Sequence, residues 1–189
     1  MSAVDLKGKL VRLVTFDLEK DTEAMARWDR DTEYQRLLDT GPVFPNEAST
    51  IRGFVEKEIG DKFLPFSIRT LDEDRVIGFS VLEGFDWHAR SVWVAIGIGE
   101  PEYRGKGLGT DAMNIVARYA FQQLNLNRIN LTVFGYNPRA IRSYEKIGFV
   151  HEGSERQWLN REGQRWDLLY MGLLRSDWLA VQRDEPTEG

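Results

Sequence analysis

The stretch Glu100–Phe121, EPEYRGKGLGTDAMNIVARYAF, decides how this chain is read. Gly105, Gly107 and Gly109 fall at alternate positions beside Arg104 and Lys106. Leu108, Ala112, Ile115, Val116, Tyr119 and Ala120 then recur at helical spacing, and Leu124 extends the stripe, which predicts a helix over 107–124. Glycine lets a backbone turn tightly and approach a ligand, because no Cβ stands in the way. The first amides of a helix have no internal partners, and its dipole favours an anion there. The elbow Arg104–Thr110 therefore suits a pyrophosphate, with Arg104 and Lys106 adding charge. The same glycines would equally serve a turn that only feeds the helix. Other phosphate loops fit worse. The P-loop pattern G-x-x-x-x-G-K-[ST] is absent. The dinucleotide fingerprint needs G-x-G-x-x-G in an early βαβ unit, whereas these glycines are two apart and the strands before them read as antiparallel.

Outward from the elbow, KLVRLVTF (9–16) alternates as a strand, and Asp21 or Thr22 can cap a short helix to about Arg30. DTEYQRLLDTGPVFP reads as a further helical turn and a loop. Asn46 can cap the next helix, whose Ile51, Phe54, Val55 and Ile59 share one face. Three strand-like runs precede the elbow: LPFSIRT, RVIGFSVLEG and SVWVAIGI. After it come the strand RINLTVF and a short helix in NPRAIRSYEKIGF that ends at Gly148. A hairpin turns at NREG, and a last short helix spans SDWLAVQ. This order predicts an α/β fold with a mixed sheet, antiparallel early and parallel across the central helix. One domain is expected over 1–182, with a polar tail at 183–189.

With 25 Lys+Arg against 30 Asp+Glu the net charge is −5, which gives no basic footprint for nucleic acid and suits a cationic partner such as an amine. The absence of cysteine excludes disulfides, thiolate metal sites and an acyl-cysteine intermediate. The two histidines, His88 and His151, lie far apart, so no metal is expected. No run of about 18 apolar residues and no signal-peptide core is present. The cytoplasm is the default location, and no membrane partner is expected.

The second constellation is NPRAIRSYEKIGF. Asn137 can cap its helix with Pro138 at the first helical position. Asn137 and Tyr144 share a face, about 10 Å apart along the axis, with the small Ala140 between them.

Arg104-x-x-Gly107-x-Gly109 and Asn137-x-x-Ala140-x-x-x-Tyr144 together resemble the GNAT superfamily of acyl-CoA N-acyltransferases. The likeness extends over the whole chain in element order. Its details, in ARWDRDTEY, EYRGKGLGTDAM and DLLYMGLL, are similar to the branch of ribosomal-protein N-terminal acetyltransferases and spermidine acetyltransferases. The resemblance implies a central sheet of about seven strands flanked by helices, and acetyl-CoA as cosubstrate. It also implies that the backbone of Arg104, Gly105, Lys106, Gly107, Leu108, Gly109 and Thr110 holds the pyrophosphate. Pantetheine would lie where the strand ending at Ile98 splays from RINLTVF, pairing with backbone near Ile96 and Ile98. Asn137 and Ala140 would border the arm and Tyr144 would sit near the sulfur. Related enzymes are often dimers, which leaves a homodimer open.

An amine can attack the thioester directly. A free strand N–H near Ile98 could face the oxyanion. Tyr144, with an ordinary pKa of about 10, could protonate a thiolate of pKa about 8.5. The glutamate that some members place before the elbow falls on Ser91, so the base must lie elsewhere. Glu83, Asp86, His88 and a water chain are the candidates, with Glu83 preferred. The acceptor side offers Trp28, Tyr34, Phe44, Trp87 and Trp158, with Asp29, Asp31, Glu33 and Asp39 near in sequence; aromatics and carboxylates suit a cation. Trp28, Tyr34, Glu83 and Trp87 are the expected acceptor contacts. A non-catalytic acyl-CoA sensor would keep the elbow without needing Tyr144. A third reading is a structural partner in an oligomer that uses aromatic surface of the last hairpin.

Overall fold

The computed structural model describes residues 6–184. Its seven strands are β1 (Val11–Thr15), β2 (Phe63–Thr70), β3 (Val76–Asp86), β4 (Ser91–Ile98), β5 (Arg128–Phe134), β6 (Val150–Arg161) and β7 (Gln164–Leu174). Six α-helices accompany them: α1 (Asp21–Trp28), α2 (Thr32–Leu38), α3 (Ala48–Glu58), α4 (Leu108–Arg118), α5 (Pro138–Glu145) and α6 (Arg175–Asp184). The strands form one open mixed sheet in the order β1-β2-β3-β4-β5-β7-β6. Neighbours are antiparallel except β4 and β5, which run parallel as α4 crosses between them. The expected mixed α/β sheet, antiparallel early and parallel across the central helix, is found.

The main core lies on the α4 face of the sheet. Ala112, Met113, Ile115 and Val116 of α4 pack there on Val11, Ile68, Ile77, Val92 and Ile129, and Trp178 of α6 joins them. On the other face Ala24, Trp28 and Tyr34 of α1 and α2 cover Val76 and Phe79. The Asp111 carboxylate accepts hydrogen bonds from the amides of Lys9, Leu10 and Val11 at 2.8–3.1 Å, fixing the start of β1 to α4.

Several local expectations are corrected by tertiary partners. The predicted helix 107–124 is α4 followed by a π-turn over Tyr119–Gln123. Asp21 opens α1 instead of capping it; its carboxylate is buried against Arg69 and the Asp17 amide. Glu47 occupies the α3 cap position, and Asn46 instead donates to Asp29 at 2.8 Å. Ile51 and Val55 of the predicted α3 face are buried, while Phe54 and Ile59 are exposed. α6 reaches Asp184, past the expected boundary at 182; residues 185–189 of the expected tail lie outside the described residues.

Candidate active site

β4 pairs with β5 only at Ser91–Trp93, matched to Arg128–Asn130. Beyond Trp93 the two strands part, leaving Val94–Ile98 without β5 partners, while β5 stays paired with β7 to Phe134. A cleft of about 670 Å³ opens in this gap. The elbow and the N-terminus of α4 form one end, α5 one wall, and Tyr34, Leu37, Leu38, Glu83 and Trp93 border the rest.

The elbow folds as the glycines require. Gly105 and Gly107 adopt left-handed backbone at φ 75° and 85°, a region that costs a residue with a Cβ about 1–2 kcal/mol. Gly107 thereby turns a strand exit into a helix start, and the Asp111 amide reaches its carbonyl at 3.0 Å. Gly105, Gly107, Gly109 and Thr110 all line the cleft, whereas Lys106 and Leu108 do not; Lys106 is exposed and Leu108 packs on the main core.

Arg104 corrects the expectation of charge for the phosphates. Its guanidinium pairs with Asp31 at 2.7 Å, donates to the carbonyls of Ile98 (3.0 Å) and Gly99, and lies over the Tyr34 ring. It therefore fixes the elbow to α2 and β4. Burial opposes the Asp31 charge, yet hydrogen bonds from Arg104 and from the Tyr34 and Glu33 amides hold its pKa below the usual value.

On α5, Asn137 caps the helix, its side chain accepting from the Ala140 amide at 3.1 Å, which leaves the Asn137 Nδ2 donor for a ligand. Gly148, at φ 105°, follows the helix end as expected. Thr110 Oγ1 lies 2.6 Å from Ser143 Oγ and joins α4 to α5. Tyr144 lines the cleft with its ring 5.8 Å from Phe149. Burial pushes its phenol up to about 12, so it is a protonated donor at neutral pH. Ile96, Ile98, Asn137, Ala140 and Tyr144, expected together, do line one cleft.

The acceptor side differs more. Glu83, paired across from Trp93 where the strands begin to part, is the one carboxylate among the described lining residues. Asp86 accepts from the Ala89 amide in the β3–β4 turn and His88 is exposed; neither lines the cleft. Trp28 is 3 % exposed, its indole fills the space beside Gly99, and its Nε1 donates to Glu100 at 3.1 Å; it is core and not an acceptor contact. Trp87 stacks on Phe85 away from the cleft. Tyr34 borders the cleft, but its hydroxyl is shut in over Gly97 with no hydrogen-bond partner among the described residues. The carboxylates near it in sequence serve the fold: Asp31 caps α2, Asp29 binds Gln35 and Asn46, and Asp39 accepts from the Gly41 amide. The sequence reading missed Trp93, Phe134 and Leu168 in the cleft lining, and likewise Arg139 and Arg142 on α5 with Lys146 at its end. The alternation of SVWVAIGI carried a signal for Trp93; the α5 cations recur at i, i+3, i+7, a signal for one shared face.

Among the described residues no cluster of His, Cys, Asp or Glu could hold a metal, and no helix is long and apolar enough to cross a membrane. Residues 11–150 match the family described as Acetyltransferase (GNAT) domain. The chain is 29% identical over 177 residues to the uncharacterized N-acetyltransferase YnaD of Bacillus subtilis, covering 93% of this chain and 98% of that one. It is 38% identical over 79 residues to spermidine N(1)-acetyltransferase of Vibrio cholerae, covering 42% of this chain and 46% of that protein. The crystal structure of spermidine N-acetyltransferase from Vibrio cholerae in complex with CoA and spermine superposes with a TM-score of 0.80 at 25% identity, over 89% of this chain and 98% of its own.

Proposed function

The chain belongs to the GNAT acetyltransferase family, and on that premise we propose that its acceptor is a primary amine that enters the cleft beside Glu83 and meets the thioester where β4 and β5 part. The protein is an acetyl-CoA-dependent N-acetyltransferase. The observation that carries the acceptor reading is the charge set of the cleft: elbow glycines and cations of the α5 segment line it together with a single carboxylate, Glu83, which sits where β4 and β5 begin to part.

The residues fit the cosubstrate. Gly105 has nothing within 4 Å of where a Cβ would stand, so the elbow backbone is open to close approach. The separated strands leave room for an extended arm along Val94–Ile98. Acetyl-CoA supplies the activated acyl group. The elbow amides bind the pyrophosphate, and Asn137 Nδ2 and the edge at Ile96 and Ile98 orient the pantetheine. The Ile98 carbonyl is already held by Arg104, so the strand offers its N–H groups. Glu83 accepts the proton that an alkylammonium must lose before its nitrogen attacks. As the C–N bond forms and the C–S bond breaks, Tyr144 gives its proton to the departing sulfur, and the second proton that the new amide nitrogen sheds restores the phenol, while Glu83 passes its proton to solvent. Trp93 sits across from Glu83, and Phe134 and Leu168 add apolar lining to the same cleft, which suits an amine with an apolar body.

A cytoplasmic location, a homodimer and no nucleic-acid partner are proposed with this reading, the last supported by the net charge of −5. Thiol release from acetyl-CoA across a panel of primary amines tests it. Release with at least one amine, lost in Glu83→Gln at neutral pH and partly recovered at higher pH, is expected. Binding of acetyl-CoA with no release for any amine would leave only the sensor.

A further inference from the structure

The cleft is charged opposite to the rest of the chain. In a protein of net charge −5, its lining holds Arg104, Arg139, Arg142 and Lys146 against the lone Glu83. Arg104 is engaged by Asp31. The other three are exposed on α5, and none of their side chains takes part in an ion pair or hydrogen bond among the described residues. Arg139 lies four residues before Ser143 and Lys146 three after it, so both share its side of the helix, and Arg142 adjoins it. Ser143 is the residue that touches Thr110 of the elbow, at 2.6 Å. The contact joins the helix that carries these cations to the elbow, and all three line the same cleft as the elbow glycines.

We propose that Arg139, Arg142 and Lys146 form a seat for the 3′-phosphate of coenzyme A, so that the protein distinguishes CoA thioesters from their 3′-dephospho counterparts. The inference rests on the coenzyme reading above. Coenzyme A carries two phosphates in its pyrophosphate and a third as a monoester on the ribose. The pyrophosphate has the elbow amides and the α4 dipole as partners. The monoester, close to two negative charges at neutral pH, has no such main-chain partner, and guanidinium and ammonium groups are its natural ligands. Long exposed side chains at the mouth of the cleft can follow a ribose end that stays near solvent, and their attraction weakens with salt.

Calorimetry of the full chain with CoA and with 3′-dephospho-CoA tests this without any variant. CoA is expected to bind about tenfold tighter at low salt, with the gap narrowing as salt rises. In the triple variant R139A/R142A/K146A the two ligands should bind alike, at the wild-type affinity for dephospho-CoA. Equal wild-type affinities would overturn the proposal. So would a triple variant that weakens both ligands in the same proportion, which would assign the cations to the pyrophosphate. Failure of both ligands to bind would overturn the coenzyme reading itself, and this seat with it.

Discussion

Tyr144 and Tyr34 are phenols kept protonated by burial, and their surroundings give them opposite consequences. Tyr144 lines the cleft from α5. With its pKa pushed up to about 12, the proton is retained across the pH range in which an ordinary tyrosine, near 10, would lose it. Tyr144→Phe keeps the ring against Phe149 and removes the hydroxyl that donates the proton. It should lower kcat about 10²-fold or more while the KM for acetyl-CoA stays within about twofold, read from steady-state rates. The wild-type kcat should show no fall from this group between pH about 8 and 10.5; a limb centred near 10 would mean a tyrosine in ordinary surroundings. The sign for stability follows: the fold favours the neutral phenol, so its contribution is whole below about 10 and is lost as pH rises toward 12. Tyr34 is 6 % exposed, and its hydroxyl has no hydrogen-bond partner among the described residues. A buried unsatisfied hydroxyl is destabilising, so Tyr34→Phe should raise stability by about 1 kcal/mol, or roughly 2–4 °C in Tm. A fall in Tm by calorimetric melting would mean that the hydroxyl has a partner after all. Both tyrosines could be picked from the sequence. Which one faces a ligand could not, because the answer depends on Gly97 and Phe79 closing over one of them.

At the level of elements, the elbow can be separated into a turn and a seat. Gly107 needs its left-handed φ of 85° for the turn itself, so a substitution there mixes strain with ligand effects. Gly109 does not: it lies within α4, and an added Cβ would meet only Ile98 Cγ1, at 3.6 Å, an ordinary contact. Gly109→Ala should therefore leave Tm unchanged or raised, since alanine favours a helix over glycine by about 1 kcal/mol. Gly109 lines the cleft, so if the elbow seats the pyrophosphate as proposed, the added Cβ intrudes on it and affinity for CoA should fall about tenfold or more by calorimetry. Affinity retained at full strength would reduce the elbow to a turn that feeds a helix. Elements like these are legible in advance because their signals are local: a 3.6-residue stripe in α4, alternation in β2–β4, and Asn137-Pro138 at the head of α5. The misreadings share a different cause. Asn46 is drawn from its capping role by Asp29, seventeen residues away. Arg104 is turned from solvent by Asp31, and Trp28 is taken into the core by the bare backbone of Gly99. Each depends on a partner brought in by tertiary folding, which neither spacing nor residue type announces.

For the whole molecule, two carboxylates hold α1 and α2 to the end of β4, and with it the start of the cleft. Glu100, 7 % exposed, accepts from Arg27 at 3.0 Å, from Trp28 Nε1 at 3.1 Å and from Arg75 at 3.0 Å. Asp31 does the same for α2 through Arg104. Burial works against both charges. The hydrogen bonds from Trp28 and Arg27, with the Arg75 charge, outweigh it at Glu100, as the Arg104 and amide bonds do at Asp31, so both pKa values lie below their ordinary range. A lowered acid pKa places the stabilisation above the unfolded value, about 4, and loses it as pH falls through the folded value. Wild-type Tm should thus be level from neutral pH to about 5 and drop below about 4. Glu100→Gln keeps the shape but not the charge: Tm should be lower at pH 7, and its decline between pH about 4 and 2 shallower, because one of the protonation steps behind that decline is gone. Melting curves on wild type and variant across that range decide it, and parallel declines would show that acid lability arises elsewhere. The same variant tests whether the clamp serves the site. Glu100 directly precedes the short turn that leads to Arg104, so loosening α1 from β4 should weaken CoA binding through a less fixed elbow, even though Glu100 is not among the residues that line the cleft.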